Sequence, residues 1–600
     1  MTDQILSDNI TTSHWTLSLS VISPFLTQGY TGQFGVDTVA ARNYQGNVYI
    51  PGSLLKGVFR SVLKDYDTVP EENLGEMQAL RDAARKILQW LGQGSDKNNA
   101  EIDTNIPHRG CVNFSDLTAE NGESDARNIL YRIAIDDFTG AVKQGSFQVI
   151  ELPYPVGEAI SFEGIVRFQG TENEADLFKE ALRKALSLVP AIGAFKSVGF
   201  GRIDQQQGIK LSPLGKPQKL QESSPVRSFN ENGYISVRMS FDRPIVMSAQ
   251  RVTNNLFKGQ VIFPGSVLKA ALAEKINLME DKRKFTDLLS AVRFSHSYPV
   301  KKESDDLSET AFLLPLSVYV TQKNDTEFGD YLFDQPNQNH RLSEEFVFQN
   351  DWKEKKFTQA SELLGCDKSP GFEMRTRTKI SQETQIAFDD EDGGQLFSYQ
   401  SVIADKHDWV CNLYLDPDVV FPDSLKAEFL DILSGHIFQI GKSKAYCEIS
   451  LFERSPEDNP AYQTGDDILI TLKTDGLLLN IDEVRNSKNI ETLYRDYFSA
   501  LGLELKDYMA SQKMSGGYLA MRYGEETHYK PWLLTERGSV FRVRIEEKCN
   551  LMALVNNGLP VGENMSGDWR KNPYIPQNGY GEIVVNINET LLSKLNSKGV

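Results

Sequence analysis

The chain is short of cysteine and histidine and has no long apolar run. Its five cysteines, Cys111, Cys366, Cys411, Cys447 and Cys549, stand far apart in 600 residues, with no C-x-x-C pair. An odd, scattered set argues against a disulfide framework or a structural zinc and for the reduced thiols of a cytoplasmic protein. No run of about 18 apolar residues occurs, so no membrane-spanning helix is expected. The opening "MTDQILSDNITTSHW" lacks the basic-then-apolar pattern of a signal peptide. The seven histidines form no H-E-x-x-H and no His–Asp pairing, and G-x-S-x-G, a P-loop and a polymerase-type acidic turn are also missing. His436, at a predicted helix end, reads as structural. Basic charge is in deficit too, with a net charge of −18, which argues against a surface coated for sequence-independent DNA binding. A narrow basic track is still compatible with that total.

What the chain does have is a unit that occurs twice. "NVYIPGSLLKGVFRSVLKDY" is a strand end, a loop and a helix opened by Pro51, with Leu55, Phe59 and Val62 on one face. "GQVIFPGSVLKAALAEKI" repeats this around Pro264. The flanking elements repeat in the same order. "HWTLSLSVI" matches "YISVRMSF", and "RIAIDDFTGAVKQGSFQVIE" matches "RTKISQETQIAFDDEDGGQLFSYQSV". "ISFEGIVRF" matches "HDWVCNLYL", and "IGAFKSVGFGRID" matches "IGKSKAYCEISLF". Such self-similarity predicts an internal duplication. The expected organisation is a first domain over 1–207, a linker over 208–232 and a second domain over 233–455. A diverged C-terminal region over 456–600 ends in "NGYGEIVVNI". The linker is rich in Pro, Ser, Gly, Lys and Gln and has little periodicity.

Helix starts favour anions, because their first N–H groups have no partner within the helix. Lys56 and Arg60 lie one turn apart behind the first Pro-Gly-Ser, and Lys269 holds the place of Lys56 in the second. A capped helix with solvated lysines would account for one such unit; two of them favour phosphate binding. In "KSVGFGR", Gly199 and Gly201 permit close backbone approach, Lys196 and Arg202 bring charge, and Phe200 offers a stacking face. The second unit has "GKSKAYC" there, losing the glycine pair but keeping Lys442 and Lys444.

Together these motifs resemble the RAMP superfamily of CRISPR RNA-guided effectors. "GVDTVAARNYQGNVYIPGSLLKGVFR", "GCVNFSDL", "RIAIDDFTGAVKQGSF" and "GAFKSVGFGR" are similar to the backbone subunit of type III complexes. "VIFPGSVLKAALA", "VRFSHSYP", "TRTKISQETQIA", "LFSYQSV", "RGSVF" and "NGYGE" resemble the cap subunit of subtype III-D, as though the two were fused. The resemblance implies an α+β fold of repeated ferredoxin-like, RRM-like domains with insertions. It implies guide CRISPR RNA, target RNA and other effector subunits as partners, including the large signalling subunit and further backbone subunits. It also implies a role for Asp37. In such backbones an aspartate ahead of the Pro-Gly-Ser helix serves Mg²⁺-dependent cleavage of target RNA, so Asp37 becomes the catalytic and metal-binding candidate. A loop aspartate capping a turn is the alternative, and with it a non-catalytic RNA-binding scaffold. The corresponding loop of the second unit, "VMSAQRVTNNLFKGQ", contains no acid and is expected to bind RNA without cutting. The RNA-binding set implied is Arg42, Lys56, Arg60, Lys196, Gly199, Phe200, Gly201, Arg202, Arg251, Lys258, Lys269, Lys442, Lys444, Gly579, Tyr580 and Gly581.

Overall fold

The structure is a computed structural model. It describes residues 11–587 except 30–34, 69–77, 93–109, 120–127, 205–207, 215–225, 248–249, 252–254, 278–281, 303–313, 322–327, 335–345, 349–369, 379–395, 454–461, 488, 517–530 and 570.

Alternating apolar residues make "TTSHWTLSLSVI" a strand buried on one side, β1 (Thr11–Ile22). It lies mid-sheet. One flank pairs antiparallel along its whole length with β6 (Ala159–Gly170). The other meets β7 (Arg202–Ile203) and β8 (Ile209–Pro213). Further short strands, β2 (Val112–Phe114) and β3 (Leu117–Ala119), extend the β6 side. Three helices back this sheet, α1 (Gly52–Thr68), α2 (Gln78–Trp90) and α3 (Glu172–Ser187). α3 starts on a capping box, with Thr171 and Glu174 each satisfying the other's backbone N–H. Leu17, Leu19, Phe59, Phe162, Phe168 and Phe178 form the core between the layers. A hairpin lies off this sheet: β4 (Asn128–Arg132) is exposed along its length, while β5 (Gln148–Leu152) is buried from Val149 to Leu152.

The second sheet repeats the plan. β9 (Tyr234–Phe241) lies between β15 (His407–Tyr414) and β17 (Ala445–Phe452), with β16 (Gly435–Ile440) outside. β11 (Arg293–Phe294) and β12 (Tyr298–Lys301) pair with β15. A side sheet joins β10 (Leu256–Lys258), β13 (Phe372–Thr378) and β14 (Leu396–Val402). The helices are α4 (Gly265–Asn277) and α5 (Asp423–Leu433), over a separate core around Trp409, Phe263 and Phe429. In the third sheet β18 (Asp467–Leu472) lies between β20 (Val540–Ile545) and β21 (Ile583–Val585), with β19 (Leu503–Met509) outermost. Its core of Tyr494, Phe498 and Phe541 packs under α6 (Ile490–Ala500), with α7 (Leu551–Asn557) beside it. The fold is mixed α+β with curled antiparallel sheets, as expected.

The Pro-Gly-Ser glycine is required by packing. A Cβ on Gly52 would stand 2.3 Å from Phe114 O and 2.5 Å from Ser115 O. On Gly265 it would stand 2.0 Å from Phe294 O and 2.7 Å from Ser295 O. Both helices therefore press their first turn onto the same Phe-Ser strand edge. The expected linker over 208–232 starts later in the structure, because Ile209–Pro213 pairs with Leu19–Trp15 of β1 and belongs to the first sheet. Alternating Ile209 and Leu211 pack on its core, which the polar composition around them conceals. Most of the remaining linker lies outside the described residues.

Candidate nucleic-acid interface

The first and second units meet along α1 and β2. Gln439 Nε2 donates to Val112 O at 2.8 Å, and Arg243 Nη2 donates to Phe114 O at 2.7 Å. Arg375 Nη1 lies 2.9 Å from Asp116 Oδ2, while its Nε side binds Glu373. Asp116 also accepts the Gly52 N–H at 2.9 Å, so a carboxylate already caps the start of α1. Burial opposes ionisation of Asp116, but Arg375 and Arg243 outweigh it and hold its carboxyl below the usual range.

Beside this capped start opens a narrow cleft of about 60 Å³, lined by Lys56, Arg243, Arg375, Arg377, Lys442 and Lys444 with Asp116 as its acid. Several waters would fill that volume, which suits a phosphate group better than a base. Arg243 is spent on Asp242 and Arg375 on Asp116 and Glu373. Among the described residues, Lys56, Arg377, Lys442 and Lys444 have no carboxylate partner. Burial brings Lys56 down to about 7, and the charges of Lys444, Arg60 and Arg243 add to the effect. Burial also lowers Arg377, with Arg375 adding, and Lys444, with Arg60 and Arg377 adding; Lys442 is lowered by burial alone. The fold holds partly desolvated cations against one another, an arrangement that a bound polyanion would relieve.

The cleft runs onto the side sheet. Arg375 and Arg377 alternate along β13 opposite Tyr399 and Phe397 of β14, so all four share one face. There Phe257 stacks on Tyr399 at 5.4 Å and 28°. Lys442 lies 4.3 Å over Phe257, and Arg377 lies 5.8 Å over Tyr399. Aromatic rings interleaved with unpaired cations are what a single nucleic-acid strand needs: stacking for bases and charge for phosphates.

The structure sorts the expected residues. Lys56, Lys442 and Lys444 meet in the cleft. Lys196, Gly199 and Arg202 line a second, open groove of about 2000 Å³ along the outer side of α1, with Arg60, Lys64, Arg183 and Lys210. Arg60 also works structurally, donating to Leu91 O and Gly92 O at 3.0 and 2.7 Å and so fastening α2. Arg42 is held by Glu151 at 2.6 Å. Lys258 sits over Phe372 at 5.7 Å on the far face of the side sheet, and Arg251 lies on an edge strand of that sheet. Asp37 is exposed beside the base of the β4–β5 hairpin, its Oδ2 accepting the Val149 N–H at 2.6 Å.

Other expected positions turn out to be interior. Phe200, expected to offer a stacking face, is 3% exposed and packs edge-on against Phe195 in the first core. Lys269 is 8% exposed and donates to Val292 O at 3.0 Å, so it does not repeat the role of Lys56. Gly201 packs on Ile192 and Gly581 on Leu559 within their own units. Gly579 is pressed on the second unit, and Tyr580 meets the His296 ring at 4.9 Å. Sequence reading missed Arg243, Arg375, Arg377 and Tyr399. The signal was the alternation in "MRTRT", which puts two arginines on one strand face.

Residues 18–204 match the family model of the RAMP superfamily. The match runs from β1 to the end of β7, and takes in Asp37, α1 and the glycine turn at 199–201. The match likens the first unit to RAMP-superfamily proteins and spans less than a third of the chain. The second and third units lie beyond the RAMP match. No curated protein matches the chain. Among the described residues, no helix is long and apolar enough to cross a membrane.

Proposed function

We propose that this chain is a subunit of a type III RNA-guided effector, of the III-D kind, that holds guide RNA across its first two units. The carrying observation is the set of four cations, Lys56, Arg377, Lys442 and Lys444, converging without carboxylate partners beside the Phe257–Tyr399 stack. Phosphates pass the cleft and bases lie against the rings. The protein reads backbone and shape while base pairing reads sequence. The acidic total charge is compatible with this, because the cations are confined to a track. Joined behind that track, the second and third units form the cap that holds the guide's 5′ handle.

Target RNA lies along the other side of the first unit, at Asp37. The neighbouring β4–β5 hairpin offers Tyr131 and Phe147, stacked at 5.7 Å and 64% and 61% exposed, as apolar surface for bases. Asp37 contributes a single carboxylate, and among the described residues no group of three or more His, Cys, Asp or Glu could hold a metal. Such a site does not keep a resident ion; it fits one brought with the RNA, Asp37 sharing Mg²⁺ with a phosphate. That ion would stabilise charge developing on the phosphate. Asp37→Ala removes one hydrogen bond, from Val149, at a cost of about 1 kcal/mol, so the fold survives. In an assembled complex the expected result is loss of one chelator-sensitive cut in target RNA with guide retention unchanged. Survival of every cut would leave the scaffold reading, which the Val149 bond favours by giving Asp37 a structural task.

A further inference from the structure

Two joints inside this chain are built alike. In each, the glycine turn that precedes a unit's last main strand lies on the preceding unit, at the strand edge facing its Gly-initiated helix. The turn of the second unit lies on Val112–Asn113, through Gln439 Nε2 to Val112 O at 2.8 Å and Asn113 Nδ2 to Lys444 O at 3.5 Å. The turn of the third unit lies on Phe294–His296. A Cβ on Gly579 would meet Phe294 O at 2.7 Å and His296 N at 2.8 Å. Phe114 and Phe294 are equivalent, since Gly52 abuts one carbonyl and Gly265 the other.

The first unit has the same turn, and among the described residues nothing packs on its tip. Lys196–Val198 and Pro576–Asn578 are both single 3₁₀ turns closed by a left-handed glycine, φ 94°, ψ 6° at Gly199 and φ 90°, ψ 6° at Gly579. In both, the glycine N–H returns to the first carbonyl of the turn, and a second left-handed glycine follows at Gly201 and Gly581. Asn578 is 6% exposed and Gly579 is buried, whereas Val198 is 45% exposed. No described atom lies within 4 Å of a Cβ placed on Gly199. The geometry of the docked turn thus recurs in the first unit at a tip that the described residues leave open to solvent.

We infer that the Lys196–Gly199 turn docks on a separate RAMP-type subunit, at a strand edge packed against a Gly-initiated helix, and continues the chain's internal stacking. This rests on the reading that the chain works in a multi-subunit effector. A second copy of the chain does not fit, because its Val112–Asn113 and Phe294–His296 edges are already covered by its own turns. Docking would also carry Lys196 and Arg202 toward the partner's helix start, as Lys442 and Lys444 are carried toward Lys56.

The test places the photo-cross-linking residue p-benzoylphenylalanine at Ser197 of the full chain in its native host. The same residue at Gln577, in the docked turn, serves as the control and should give adducts within 293–297. Adducts from Ser197 should map to another protein, on a strand segment that packs against a Gly-initiated helix. Val198→Arg should lower recovery of that protein at least tenfold while bound RNA is unchanged. Loss of RNA with the subunit retained would count against the proposed function instead and leave this docking standing. Adducts to RNA, to a second copy or to a segment of another kind would overturn the docking. So would no adduct from Ser197 when Gln577 reacts, or unchanged recovery with Val198→Arg.

Discussion

Replacing Arg377, Lys442 and Lys444 together by alanine should weaken single-stranded RNA binding roughly a hundredfold, at about 1 kcal/mol for each lost contact. These three were chosen because none holds the fold through a carboxylate, unlike Arg243 and Arg375. Removing them should relax the cleft, since the remaining Lys56 loses a like-charged neighbour and its pKa rises from about 7. The salt dependence should change with the affinity. Single-stranded contacts each contribute about 0.7 to the slope of log K against log salt, so the variant's slope should be shallower by about two. Filter binding across a salt series gives both quantities. Unchanged affinity in the folded triple variant would remove the cleft from the RNA path. Arg60 is a poor choice for such a test despite its place one turn from Lys56. Its bonds to Leu91 O and Gly92 O make its loss a packing defect as well.

Asp242→Ala should be the most destabilising change at the first joint. The Asp242 carboxylate is 7% exposed, 3.2 Å from Arg167 and 2.8 Å from Arg243, and it accepts the Tyr446 N–H at 2.8 Å. Arg167 also lies 4.2 Å over the Tyr446 ring. Truncation would leave two buried guanidinium groups facing each other without their anion, a loss of about 3–5 kcal/mol. A urea unfolding series should show an earlier transition, with Asp242→Asn between the parent and the alanine variant. Acid acts at the same joint. His436 is brought down to about 4 by burial, with Lys275, His14 and Arg167 adding; His14 is lowered by burial and then Arg167. Both are neutral in the folded chain, while the unfolded chain takes up protons near 6.5. The contribution of His436 is therefore complete above about pH 6.5 and lost as pH falls toward 4, and His14 acts in the same direction. Melting points that do not fall over that window would mean the two rings are not buried together.

Periodicity and repetition carried much of the fold. β1, α1, β6 and the glycine turn follow from alternation, helical spacing and Pro-Gly punctuation, and the second unit repeats them in order. Sequence could not show which repeated residues stay outside. Lys56 and Lys269 hold the same place after Pro-Gly-Ser, yet Lys56 faces a cleft and Lys269 is covered. The difference comes from what docks on each unit, a long-range event with no local signature. Phe200 and Tyr580 diverge for a related reason: one turns into its own core, the other onto His296 of the preceding unit. Arg375 and Arg377 were readable as a strand face, but the cleft they complete is closed by α1, more than three hundred residues earlier in the chain.

Under the proposed function, one RNA strand crosses the joint between the first two units. Photo-cross-linking 4-thiouridine-bearing single-stranded RNA to the full chain, then mapping the adducts, tests it most directly. Adducts should concentrate on Phe257, Tyr399 and the Gln439–Tyr446 turn, and should disappear in the Arg377, Lys442 and Lys444 alanine variant. RNA that binds yet leaves those segments unmodified, with adducts elsewhere on the chain, would contradict the claim.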